Sequence, residues 1–405
     1  MRRNITLFKI IFPVYCLWFW LGIWMLYYLR FTSFEGVAVI ELVQLISRFG
    51  LEIPTGAISD IFGKKSTLTL SLFTIAIGNV LMGLSSNFNL IVLSAFICSI
   101  GYTLLSGNSD ALMYETLKSL SLEHTYDTLS AKILKWELIA NGIASIVGGF
   151  LYHFSPSLPF FLTAGVIAIA GVLSLWVEEP LVESEHFSLP VYLRYMKSGF
   201  SELFASKLLK RDVLLFLLAS SFIFMTVEVF DASLALNFHY DERQMGILFA
   251  VVTLVAAFGT HMYPQIKKRF STRSVFFFST FFMYISALLS GFYGMLAGGI
   301  SIVGRNLLDS YIDIPISERI NRAVESKYRA SALSTFSMLK AAPYVVLAIF
   351  IGKYMDQTSP VQVVAIIAGS YLYLTLFFIV GIRIKQKLRA RASSRSSSGS
   401  TSLSV

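Results

Sequence analysis

Inside otherwise apolar stretches, this sequence sets charges one helical turn apart. Arg305, Asp309 and Asp313 repeat every four residues, and Glu41, Arg48 and Glu52 are separated by seven and four, so each trio falls on one face of a helix. Glu228 and Asp231, three apart, share one side of another. Charges in such surroundings are costly unless they face protein or water, and they mark paths for ions or polar solutes. A carboxylate that exchanges a guanidinium for a proton couples protonation to a change of shape. Asp309 is expected to carry that proton, with Arg305 as its switchable counter-charge, Glu228 as second carrier, and Asp231 and Asp313 as further coupling candidates. The alternatives are a permanent Arg305–Asp309 bridge and, for the Glu41 trio, an internally neutralised structural triad. Trp20, Trp24 and Tyr27 share a face within an apolar run and could form an aromatic wall for an amphipathic or cationic ligand, or simply pack. The chain shows no nucleotide-binding loop, metal-ligand cluster or loop-borne Ser/His/Asp set. An enzyme is not expected, nor is a cofactor or a metal.

The elements that must position these residues follow from composition. Of 405 residues, 55% are hydrophobic and only 14% charged, and 35 are Phe; ordinary soluble domains carry about 25% charged residues. Lipid is therefore the expected solvent, with each spanning helix needing about 20 mostly apolar residues. Apolar runs place spans 1 to 6 at 10–29, 36–57, 67–85, 90–112, 133–152 and 157–177. Spans 7 to 12 follow at 213–236, 244–265, 274–292, 294–316, 331–351 and 361–382. The remaining loops are too short for an extramembrane catalytic domain. Cys16 and Cys98 both lie in apolar runs and build no disulfide framework.

The net charge of +9 need not mean nucleic acid. Of the 33 Lys and Arg, only Arg30, Arg243 and Lys353 fall on the side opposite the termini. Arg48, Lys135, Arg305 and Lys340 lie within spans, and all the others gather on the side of the termini. Cytoplasmic loops concentrate basic residues, so both termini are expected in the cytoplasm, in a multi-pass protein of the cell membrane. The expected organisation is a six-helix bundle over 1–180 and a cytoplasmic linker with an amphipathic stretch over 181–211. A second six-helix bundle over 212–390 and a disordered tail over 391–405 follow. An offset of 203 residues relates the bundles. It carries Gly56, Lys64 and Lys65 to Gly259, Lys267 and Lys268, Asp110 to Asp313, Glu115 to Glu318, Glu137 to Lys340 and Gly149 to Gly352. Shared register at so many landmarks argues for duplication.

Between spans 2 and 3, Gly56-x-x-x-Asp60-x-x-Gly63-Lys64-Lys65 allows close helix approach at Gly56, a tight turn at Gly63 and an acidic group for capping or pairing at Asp60. This turn resembles the signature loop of the major facilitator superfamily, although Ile61 stands where that loop has Arg. The stretches at Gly50–Asp60, Ser106–Leu117 and Asn321–Ser334 look like those of its bacterial drug-efflux members, the macrolide and tetracycline exporters among them. The resemblance implies an all-α fold of twelve transmembrane helices in two six-helix halves, alternating access, and a central cavity lined by spans 1, 4, 7 and 10. Span 4 lacks the mid-membrane Arg of drug/proton antiporters, and span 5 reads ASIVGG at Ala144–Gly149 instead of a Gly-Pro element.

Proton-coupled export of an amphipathic organic compound is therefore expected, with a small-molecule substrate, protons and membrane lipids as partners, no nucleic acid, and a monomer. Uptake of a small organic solute by symport, or a non-transporting protein that kept the fold, are the alternatives. The signature loop with Asp110 and Glu115 is expected to act as the gate. Spans 2 and 11 are neighbours in the family, and Glu52 and Lys340 match in depth at about 12 and 14 Å from the basic end. A Glu52–Lys340 pair shared with Arg48 should therefore join the halves. His261 is assigned no role.

Overall fold

A bilayer offers no water to its interior, so each apolar run must close its backbone N–H and C=O groups within a helix. In the computed structural model the expected spans are helical. Span 1 is α1 (Arg2–Tyr15) and α2 (Trp24–Tyr28); spans 2 and 3 are α3 (Phe34–Phe62) and α4 (Lys64–Gly83); span 4 is α5 (Phe88–Leu105) and α6 (Asn108–Ser119). Spans 5 and 6 are α7 (Tyr126–Phe154) and α8 (Leu158–Ser174), followed by the linker helix α9 (Leu189–Leu203). Span 7 consists of α10 (Lys207–Met225), a π-turn (Thr226–Phe230) and α11 (Asp231–Asn237). Spans 8 to 12 are α12 (Glu242–Arg269), α13 (Thr272–Leu288), α14 (Met295–Ala323), α15 (Arg329–Gln357) and α16 (Pro360–Gly399). The structure describes the backbone of residues 1–180, 189–204, 207–325 and 328–399. Side chains at 53–54, 56–57, 60, 189–193, 195–196, 207–210, 310, 330, 382–383 and from 385 onward lie outside that description. The expected disordered tail is helical backbone as far as Gly399.

Among the described residues, eight helices are long and apolar enough to cross a membrane unaided. The four spans outside that set are the interrupted span 1, the 17-residue span 6, and spans 2 and 10, which carry the charge trios. In the first half α4 packs on α5 and α8, and α1 on α7 and α8. Asn4 staples the start of span 1 to the end of span 6: its Nδ2 donates to the Glu178 carbonyl (2.8 Å) and its Oδ1 accepts from the Glu178 N–H (2.9 Å). In the second half α12 packs on α14, and α13 on α14 and α16. The linker helix α9 lies on α15, with the Gly199 backbone pressed against Ser331.

Among the described residues the halves meet chiefly through two helix pairs, α7 with α12 and α3 with α15. Both contacts depend on glycine at the end remote from the basic loops. A Cβ on Gly246 would lie 2.6 Å from the Ser145 carbonyl oxygen and 3.1 Å from Gly149 Cα, and one on Gly352 would lie 2.5 Å from the Phe34 carbonyl oxygen. Polar contacts complete the seal. Ser145 Oγ donates to the Gly246 carbonyl (2.9 Å), His153 Nδ1 meets Glu242 Oε1 (2.7 Å), and the Phe34 and Glu35 N–H groups donate to the Asp356 carboxylate (both 2.9 Å). Every hydrogen bond between described residues of the two halves lies at this charge-poor end. The 203-residue offset reappears here, since Gly149 and Gly352 each seat the first turn of a helix from the other half.

Gly246→Val should wedge the halves apart at the charge-poor end. With Cys16 and Cys98 replaced by Ser, a His153→Cys/Glu242→Cys pair is expected to cross-link under mild oxidation. Adding Gly246→Val should suppress the cross-link; an unchanged yield would mean the glycine contact does not hold that end shut.

Candidate functional site

The backbone unwinds between α1 and α2 over residues 16–23, midway along span 1. Non-helical backbone at that depth survives only where protein or a cavity supplies its partners. Here the Phe19 N–H donates to Thr163 Oγ1 (3.1 Å) and Asn141 Nδ2 to the Cys16 carbonyl (3.4 Å). The Phe19 carbonyl fills the space where a side chain on Gly148 would stand. Unwinding turns Trp18, Trp20 and Trp24 toward a central cavity of about 720 Å³, which runs to Ser109 and Asp110 at the basic end. Trp18 and Trp20 stack at 5.7 Å and 11°, and Tyr102 closes on Trp18 edge-on at 6.1 Å. The Trp18 indole N–H has no hydrogen-bond partner in this wall.

Tyr27 does not belong to the aromatic wall expected for it. Its ring is buried against Phe160 (4.3 Å) and its hydroxyl donates to the Met82 carbonyl (2.6 Å). The expectation assumed an unbroken helix, and the unwound turn changes which residues share a face. Trp18 takes the place of Tyr27.

Among the described residues four carboxylates, Glu41, Glu52, Asp110 and Glu228, and one guanidinium, Arg48, line the same cavity. Arg48 lies over the Tyr102 ring at 5.8 Å. Glu228 enters from the π-turn of span 7, the kind of insertion that re-aims side chains at functional sites. The wider turn separates it from Asp231, which a regular helix would have kept beside it. Sequence reasoning had no signal for this turn.

Asp231 instead faces span 10 and takes Arg305. Arg305 Nε and Nη2 donate to Asp231 Oδ1 at 3.0 and 2.5 Å, Asn306 Nδ2 donates to Oδ2 at 2.6 Å, and Arg305 Nη1 donates to Ser301 Oγ at 2.7 Å. Both charges are shut from solvent, at 0% and 1% exposure. The expected Arg305–Asp309 pairing is thus replaced by a bridge between helices, and the pair stands apart from the cavity lining. Both carboxylate oxygens are occupied, which a neighbour one turn away on the same helix does not achieve here. Asn306, unmarked by sequence reasoning, completes the set. Asp309 is half-buried on α14, and Asp313 meets Lys340 at 3.5 Å.

Lys340 therefore pairs within its own half and not with Glu52. Spans 2 and 11 are neighbours as expected, but among the described residues the hydrogen bonds between them lie at their charge-poor ends, and Glu52 stays exposed in the cavity wall with Arg48. At the signature turn, Gly63 adopts φ +86°, a conformation that favours glycine. Glu179 accepts from the Lys64 and Lys65 N–H groups (2.7 and 2.8 Å), capping α4, and Lys64 Nζ pairs with Glu115 (2.9 Å). Asp110 accepts from the Tyr126 hydroxyl (3.3 Å). The offset carries Lys64 and Glu115 onto Lys267 and Glu318, which form the equivalent pair in the second half. The side chain of Asp60 and the surroundings of Gly56 lie outside the described residues.

Breaking a buried ion pair by removing one partner costs about 3–5 kcal/mol, whereas an apolar replacement of both can be close to neutral. Arg305→Met alone should destabilise the purified protein by that order, and Asp231→Leu/Arg305→Met by clearly less, in thermal unfolding. Strictly additive losses would show that the bridge carries no coupling energy.

Comparison with known proteins agrees with this architecture. The family model of the Major Facilitator Superfamily matches residues 5–342. An uncharacterized MFS-type transporter of Methanocaldococcus jannaschii is 29% identical over 171 residues, 38% of this chain and 40% of that protein. An uncharacterized transporter of Buchnera aphidicola is 24% identical over 225 residues, 55% of each chain. The matched stretches thus span less than two thirds of these relatives. Among solved structures, the nucleoside transporter NupG superposes with a TM-score of 0.77 at 18% identity, covering 93% of this chain and 98% of its own. A bacterial homologue of the human lysosomal transporter Spinster, in an inward-facing conformation, gives 0.67 at 14% identity, covering 93% and 94%. A family match over more than four fifths of the chain, on a twelve-span duplicated helical fold with a central cavity, identifies this multi-pass membrane protein as a member of the major facilitator superfamily of transporters.

Proposed function

We propose that this transporter exports an amphipathic organic cation in exchange for protons, by alternating access. Four carboxylates set against one guanidinium, within walls of Trp and Tyr, carry the proposal. That cavity attracts positive charge and offers rings for cation–π contact, worth about 0.5–2 kcal/mol each. Glu41 and Glu228 lie within electrostatic range of each other and of Arg48. Two carboxylates set against Arg48, with the nearby Lys340 held by Asp313, leave a site that a proton or a cationic cargo can neutralise, but not both together. Such competition makes the two alternate, and proton entry then drives the cation out.

With the basic loops in the cytoplasm, the sealed charge-poor end makes this the inward-facing state. Opening outward would require the glycine contacts of α7 with α12 and α3 with α15 to part as the basic ends close. We assign the closing contact to the signature turn, and the Arg305–Asp231 bridge to holding the π-turn so that Glu228 faces the cavity. The stacked Trp18–Trp20 pair favours one further reading, proton-coupled uptake of an uncharged solute with a flat ring, as NupG is a nucleoside transporter.

Flux in proteoliposomes tests this. An imposed pH gradient should drive tetraphenylphosphonium uphill, and a protonophore should collapse the movement. Glu228→Gln should lower proton-driven uphill flux by at least about tenfold, an added barrier of about 1.4 kcal/mol, while counterflow of labelled against unlabelled cation persists. Trp20→Ala should raise KM by about 2- to 10-fold, from the loss of about 0.5–1.4 kcal/mol. Unchanged uphill flux in Glu228→Gln would move coupling to other residues, and accumulation of a labelled nucleoside with protons would favour the second reading.

A further inference from the structure

A second pocket, of about 500 Å³, opens at the basic end of the second half between spans 7, 9, 10 and 12, apart from the central cavity. Three arginines stand in its wall: Arg211 at the start of span 7, Arg273 at the start of span 9 and Arg319 near the end of span 10. Among the described residues a single acidic one in that wall, Asp212, answers them. Its Oδ1 accepts from Arg211 Nε and Nη2 (3.1 and 2.9 Å) and its Oδ2 from Arg319 Nε (3.0 Å). Asp212 thereby holds two guanidiniums in place without using up their donors, since each carries five N–H groups. Arg273 lies over the Phe277 ring at 5.7 Å, with no carboxylate in salt-bridge distance among the described residues. The wall is left with a surplus of two positive charges.

Beneath the arginines the lining turns apolar. Phe216 lies five residues into the membrane from Arg211, and Phe276 and Phe277 three and four residues beyond Arg273, depths of about 4–8 Å at about 1.5 Å per residue. Ile379 of span 12 and Pro315 of span 10 complete this floor. A soluble phosphate would use the cations and leave the rings idle. A molecule with phosphate above and hydrocarbon below would use both, in the order in which a leaflet presents them.

We propose that this pocket binds the phosphate headgroup of an anionic phospholipid, with Arg211, Arg273 and Arg319 around the phosphate and the upper acyl carbons against Phe216, Phe276 and Phe277. Guanidinium forks match phosphate oxygens in charge and in geometry, and basic pockets between spans on the cytoplasmic side are suited to such headgroups. Docking a lipid here would tie spans 7, 9, 10 and 12 of the second half together at its basic end.

Thermal unfolding of delipidated full-length protein in detergent, titrated with phosphatidylglycerol, phosphatidylcholine or glycerol 1-phosphate, tests the assignment. Phosphatidylglycerol should raise Tm where phosphatidylcholine does not. Arg273→Gln, which leaves the Asp212 pairs intact, should raise the half-maximal lipid concentration about fivefold, and Arg273→Gln/Arg319→Gln should raise it further. Lys118→Gln, on the basic end of the first half, should leave it unchanged. Equal shifts from both lipids, an unaltered midpoint in the double variant, or the same loss in Lys118→Gln would overturn the proposal. So would glycerol 1-phosphate reproducing the full shift alone, because the apolar floor would then have no part in binding.

Discussion

Backbone pressed against glycine at the charge-poor end is the contact on which the rest of this structure depends. Gly149 and Gly246 bring α7 and α12 together, Gly352 receives the start of α3, and Gly22 and Gly148 admit the unwound turn of span 1. Inside a bilayer, helix association gains little from the hydrophobic effect, because lipid is as apolar as the helix surface. Close approach of small residues and the hydrogen bonds it permits must do the joining. Among the described residues those contacts occupy one end, and the cavity runs toward the other, to Ser109 and Asp110. The same closeness holds the unwound segment, whose backbone groups find Thr163 and Asn141 at membrane depth.

Duplication supplies the frame, and departure from it supplies the chemistry. Lys64–Glu115 and Lys267–Glu318 are equivalent pairs in the two halves, and both hold spans together within a half at the basic end. Elsewhere the equivalence has been broken. Glu137 of the first half corresponds to Lys340 of the second, and Lys340 is taken up by Asp313, itself the counterpart of the cavity-facing Asp110. Among the described residues the first half thus provides most of the central cavity, while the second contributes Val227 and Glu228 and keeps its buried pair, Arg305 with Asp231, away from water. A charge pair with every oxygen satisfied and no access to solvent suits a fixed support. Carboxylates facing a cavity suit exchange.

Much was legible in the chain itself. Apolar length and the one-sided placement of Lys and Arg determined the spans and their alternation, because both reflect the exclusion of water and charge from lipid, which acts on each segment separately. The 203-residue register set Lys64 and Lys267, Glu115 and Glu318, and Gly149 and Gly352 at equivalent positions, where the structure forms matching pairs and matching seats. Which charges meet was decided only in three dimensions. Regular helical spacing assigned Tyr27 to the cavity and Asp309 to Arg305, and it failed at the unwound residues 16–23 and at the π-turn of 226–230. Both irregularities exist because another helix accepts the displaced backbone or side chain: Thr163 for Phe19, and Arg305 for Asp231. Local sequence determines how far a helix can run and which residues are costly to bury, whereas the partner that makes burial tolerable comes from a remote part of the chain.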